Sequence, residues 1–110
     1  MDIDVQDKNN VRIISVNSQS LDASNVGEFK SLIMPQLDSE DRVVLVLTKL
    51  EFVDSSGLGA FLSCMRKVTS SGGVFKLAGL NSTVRSLFEL VRMHRVIEIY
   101  NTTDEAIAAF

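Results

Sequence analysis

The chain has one cysteine, one histidine, one proline and no tryptophan in 110 residues. A single thiol, Cys64, rules out an internal disulfide and a cysteine-based metal site, and with His94 as the sole imidazole the usual zinc and iron donor sets cannot be assembled. One proline, Pro35, leaves no Pro-rich linker, and no low-complexity tract or internal repeat divides the chain, so residues 1–110 read as one domain. No window approaches the roughly 18 apolar residues of a membrane span. The start "MDIDVQDKNN" lacks the basic and apolar segments of a signal peptide. The net charge is −3, and the chain has no Lys/Arg cluster of the kind that nucleic acid or an anionic membrane rewards. These absences predict a cytoplasmic protein with no nucleic-acid or membrane partner and no cofactor.

What is present suffices for one core: 45% of the residues are hydrophobic and 23% charged. "IDVQ" and "VRIISV" read as strands joined by a tight turn at Asn9-Asn10, residues that tolerate positive φ. Val26, Phe29, Ile33 and Leu37 recur at helical spacing, which predicts a helix from about Asp22 to Leu37, capped by Asp22, Ser24 or Asn25 and bent or frayed near Pro35. The uninterrupted "RVVLVL" fits a central strand buried on both faces. Leu58, Phe61, Leu62, Met65 and Val68 then form a helical stripe, with Ser63, Arg66, Lys67 and Ser70 opposite and "SSGG" as the stop.

"VFKLAGL" alternates as a strand. Asn81 or Ser82 caps a helix with Val84, Leu87, Phe88 and Val91 inward, ending among Arg92, His94 and Arg95. "VIEIY" is a last strand, and "TTDEAIAAF" begins like a short capped helix. The order β-β-α-β-α-β-α-β-α predicts an α/β fold: a mixed β-sheet flanked by about four helices.

The stretch "EFVDSSGLGAF" places an acid, two hydroxyls and two glycines between the central strand and the next helix. Open α/β sheets bind ligands at this edge, and a helix start offers free N–H groups to a phosphate. A structural account has Asp54 or Ser55 capping the helix, with Gly57 and Gly59 easing close packing. The stretch matches neither G-x-S-x-G nor the glycine-rich nucleotide loops. An exposed serine that gains about two negative charges by phosphorylation fits the position. Elsewhere the ordinary readings hold: Cys64 as a buried small hydrophobe, His94 as a helix-end charge, Met65 and Met93 as filler, and Ser39–Arg42 as a solvated loop.

Taken together, "VVLVLTKLEFV", "DSSGLGAFL", the earlier "LDASNVGEFK" and the later "GGVFKLAGLNSTVRSLFELVRMHRVIEIYNTTDEAI" resemble a STAS domain of the anti-sigma factor antagonist type over nearly the whole chain. The resemblance implies a single-domain, non-enzymatic phosphoswitch. Ser55, just after Asp54, would carry the phosphate. Its partners would be an anti-sigma factor serine kinase, bound when Ser55 is unmodified so that the sigma factor is freed, and a PP2C-type phosphatase that restores it. Asp22 maps to the family's second landmark beside that site, although "NSQS" stands where members commonly have a glycine. The implied docking surface comprises Asp22, Ser24, Asp54, Ser55, Ser56, Gly57, Leu58 and Gly59, on a monomer or weak homodimer. The family also contains scaffold subunits of stress-signalling and transporter complexes, in which Ser55 would go unmodified.

Overall fold

The computed structural model describes residues 1–110. Strands β1 (Asp2–Lys8) and β2 (Val11–Asn17) form the expected antiparallel hairpin. Asn9 and Asn10 at its turn have φ of 55° and 62°, the doubly left-handed geometry that suits the twist of paired strands. The chain continues through a short strand β3 (Ser20–Leu21), helix α1 (Val26–Ile33), a 3-10 turn (Met34–Leu37) and β4 (Arg42–Val46). Then follow β5 (Phe52–Val53), α2 (Ser55–Ser70), β6 (Val74–Ala78), α3 (Ser82–Leu90), a second 3-10 turn (Met93–Arg95), β7 (Glu98–Tyr100) and α4 (Thr103–Ala108).

The main sheet runs β1-β2-β4-β6-β7, with β4 in the centre and every pair beyond the hairpin parallel. Because each parallel strand is added on the same side, right-handed crossovers set their helices on one face. Residues of α1, α2 and α3 therefore share one core with Val43 and Leu45, whereas Val44 and Val46 meet Ala106 of α4 on the other face. That two-sided burial is why "RVVLVL" shows no polar alternation. Phe29, Phe61 and Phe88, one from each helix of the larger core, are fully buried. Phe61 meets Phe29 edge-on at 5.7 Å and Phe88 at a tilt, also 5.7 Å, the offset geometries that ring quadrupoles favour. Cys64 lies beside them, and burial pushes its thiol up to about 12, leaving it an unreactive hydrophobe.

Three local expectations are corrected. Helix α1 begins at Val26, not Asp22, and has no side-chain cap. The Asp22 carboxylate instead accepts hydrogen bonds from the amide and hydroxyl of Ser24, and Asn25 turns back to the Asp22 amide and the Ser20 carbonyl. These local bonds offer the backbone an alternative to the helix. The inward face of α2 is Gly57, Ala60, Phe61, Cys64 and Val68, so Leu58, Leu62 and Met65 flank the core half-buried rather than centring it. Val91 faces solvent because α3 stops at Leu90 and Arg92 adopts a left-handed φ of 63°.

Lys76 is the one buried charged side chain. Its Nζ donates to Glu98 Oε2 at 2.7 Å and lies 5.1 Å from the Tyr100 ring centre and 4.9 Å from that of Phe110. Burial opposes the Lys76 charge, but hydrogen bonds to Glu98 and Tyr100 outweigh it and raise the lysine above its ordinary value. The hydrogen bond from Lys76, and then that from Tyr100, holds Glu98 below its own. The depressed Glu98 contributes stability that is present above its unfolded value of about 4.5 and lost as pH falls through the folded value. The raised Lys76 contributes below about 10.5, and its share is lost as pH rises through its folded value. Glu98→Gln should therefore lower stability at neutral pH by no more than about 1 kcal/mol, since Glu98 is largely exposed and screened. Denaturant melts at pH 7 and pH 3 check this: the difference from wild type should shrink at the lower pH.

Candidate functional site

The link between β4 and α2 contains something the hydrophobic pattern did not reveal. β5 pairs in parallel with β3, Ser20 opposite Phe52 and Leu21 opposite Val53, as a separate two-stranded sheet. Glu51 and Phe52 donate their amides to the Gln19 carbonyl, and Asp54 donates its amide to that of Leu21. This pairing draws the Asp22 turn alongside the start of α2. A two-residue strand carries too little periodicity to be read from sequence.

Asp54 holds the two segments together through its side chain. One carboxylate oxygen accepts from the Gly57 amide at 3.0 Å and caps α2; the other accepts from the Ala23 amide at 3.1 Å. Of the two residues expected to cap, Asp54 does so. Ser55 is the first residue of α2 and exposed, and Ser56 is half-buried. Neither hydroxyl is used in the cap, which Asp54 alone provides. Asp22, half-buried, is held below the usual carboxylate range by hydrogen bonds from the Ser24 hydroxyl and amide. It is therefore a fixed negative charge at neutral pH beside the helix start.

The two glycines differ. A Cβ on Gly57 would come within 2.5 Å of Val53 Cγ2 and 2.6 Å of the Leu21 carbonyl oxygen, so only glycine allows α2 to press on β3 and β5. A Cβ on Gly59 would meet nothing within 4 Å, so the expectation of close packing there does not hold. Leu58 is half-buried against the core and contributes only part of its surface. Phe52, 56% exposed, stands two residues before Asp54 and was missed as a site residue. Its signal was the pair "FV" ahead of the aspartate, which as a strand must point one side chain in and the other out. The molecule's two clefts lie at the opposite end of the parallel strands, one around Arg12 and Glu40 and the other around Lys76 and Phe110, and neither includes Ser55.

Residues 2–106 match the STAS domain family. The chain belongs to that family. The STAS relative named anti-sigma-B factor antagonist from Bacillus subtilis is 27% identical over 100 residues, covering 90% of this chain and 92% of that one. The STAS fold is shared with an anti-sigma-factor antagonist domain protein from Planctomyces limnophilus, 24% identical with a TM-score of 0.89 over 99% of this chain and 97% of the other. It is shared too with the Bacillus cell fate determinant SpoIIAA in its phosphorylated form, 22% identical with a TM-score of 0.69 over 98% of each chain. The mixed sheet and four helices of this STAS domain are those expected from its sequence. No helix is long and apolar enough to cross a membrane.

Exchanging the glycines for alanine separates their roles. Gly59→Ala should stabilise the domain by about 0.5–1 kcal/mol, because it removes backbone freedom from an unobstructed helical position. Gly57→Ala should destabilise it by about 1–3 kcal/mol through overpacking against β3 and β5. Thermal melts of both variants give the signs directly.

Proposed function

We propose that this STAS domain is an anti-sigma factor antagonist that works as a non-enzymatic phosphoswitch at Ser55. The observation that carries the reading is the division of labour at the start of α2. Asp54 satisfies the helix and the facing turn with its two oxygens, so Ser55 stays exposed and spare. A residue needed for capping could not be modified without a cost to the fold; this one can be. Phosphate at the first position of a helix meets free N–H groups and the positive end of the dipole, worth roughly 0.3–1 kcal/mol in its favour. The same dianion between Asp54 and Asp22 must be desolvated beside like charge when a partner docks, and that penalty breaks the complex.

In this reading an anti-sigma factor serine kinase binds the unmodified surface and releases its sigma factor. The kinase transfers the γ-phosphoryl group of ATP to the Ser55 oxygen, the hydroxyl proton departing, and the antagonist dissociates. A PP2C-type phosphatase returns the hydroxyl by hydrolysis. Asp22, Ser24, Ser56, Leu58, Gly59 and Phe52 lie in the segments that flank Ser55, and we assign them to the same docking surface.

Two outcomes test this. Incubation with host-cell extract and ATP should add one phosphate, mapped to Ser55 and absent from Ser55→Ala; phosphate found only on Ser56 would defeat the Ser55 assignment, and no gain at all would move the protein to the scaffold class. Titrated with the kinase, Ser55→Asp should bind roughly a hundredfold more weakly than Ser55→Ala, which corresponds to about 3 kcal/mol, while both melt like wild type. Equal affinities would remove the electrostatic mechanism.

Asp22→Ala should weaken kinase binding or phosphorylation while the melting temperature changes little, since its carboxylate closes a local turn on Ser24 rather than capping a helix. Loss of stability with binding intact would make Asp22 structural.

A further inference from the structure

The segment Leu90–Val96, "LVRMHRV", ends α3 and leads into β7. It contains three of the six large hydrophobic side chains that the molecule exposes: Leu90 at 79%, Val91 at 47% and Val96 at 54%. Arg92, His94 and Arg95 are exposed among them and enter none of the ion pairs. Of the acids next to the segment in the chain, Glu98 is held by Lys76 and Glu89 enters no ion pair. Met93 and Ile97 are buried, the Arg92 amide donates to the Glu89 carbonyl and those of Val96 and Ile97 to the Met93 carbonyl, so the knob is pinned rather than loose. Its shape depends on the left-handed Arg92, a conformation a non-glycine residue adopts only when its surroundings hold it there.

Exposed aliphatic side chains set among cations that lack ion-pair partners mark an interaction surface. We propose that Leu90, Val91 and Val96, with Arg92 and Arg95, form a second docking surface for an acidic amphipathic helix of a protein partner. The aliphatic side chains supply burial, and the guanidiniums select carboxylates and fix register. A lipid surface fits less well: polybasic membrane attachment takes clusters of about 4–8 Lys/Arg, whereas this patch has two arginines on a chain of net charge −3. Helix α3 starts where β6 ends and runs back along the sheet, so the patch lies at the opposite end of the molecule from Ser55. Both surfaces can be occupied together, and the second does not depend on the phosphoswitch.

The test uses a synthetic helical peptide with leucines along one face and glutamates flanking them, added to the isotope-labelled full chain. Amide shifts should concentrate between Leu87 and Ile97, and affinity should fall as NaCl rises from about 50 to about 300 mM, as screening requires. Leu90→Ala and Arg95→Glu should each weaken binding by about tenfold or more without changing the melting temperature, whereas Ser55→Asp should leave it unchanged. Absence of shifts at millimolar peptide overturns the proposal, as do shifts centred on Ser55. So does sedimentation with phosphatidylglycerol vesicles that Leu90→Ala abolishes, which would make the patch a lipid contact. A concentration-dependent dimer lost in Leu90→Ala would overturn it in favour of self-association.

Discussion

Phe61 is the point at which three helices are tied to one another and to the sheet. Its ring touches Phe29 of α1 on one side and Phe88 of α3 on the other, so the placement of α2 sets that of its neighbours. Cores packed to crystal-like density transmit such constraints, because a ring that shifts must displace those around it. The start of α2 inherits this rigidity. Gly57, a single helical turn before Phe61, is pressed against Val53 and the Leu21 carbonyl with no space for a methyl group. The exposed end of the helix therefore sits at a fixed height above the small β3-β5 sheet.

On that rigid base the site needs little machinery of its own. Asp54 joins the helix to the turn after β3 through two hydrogen bonds, and Asp22 closes that turn on Ser24. Each carboxylate already serves the backbone, and the helix cap is met without the hydroxyls of Ser55 and Ser56. Relatives of this STAS domain are named anti-sigma factor antagonists.

Charge is distributed with the same economy. The one buried cation, Lys76, is met by Glu98 and two aromatic rings on the face covered by α4, far from the acidic surroundings of Ser55. The cations of the α3 terminus are left without partners in a chain whose overall charge is negative. The Ser55 end thus carries acids and hydroxyls, whereas the α3 terminus carries cations among exposed aliphatic side chains.

The long elements were legible in the sequence because each carries its own period. Asn9-Asn10 specified the hairpin turn, the unbroken "RVVLVL" specified a doubly covered central strand, and the caps Asn81 and Thr102 act where sequence logic puts them. The mixed sheet, its helices and the position of Ser55 at a helix start follow from these local signals. What the sequence could not reveal depends on contacts between residues about thirty positions apart. The β3-β5 pairing, the bond from Ala23 to Asp54, the exposure of Phe52 and the different surroundings of Gly57 and Gly59 are such cases. The late start of α1 has a local cause instead: Asn25 turns back to Ser20, five residues away, rather than capping. Periodicity reports which face of an element is apolar. Only the folded chain decides which backbone lies opposite that face, and it is this proximity that turns two unremarkable loops into one site.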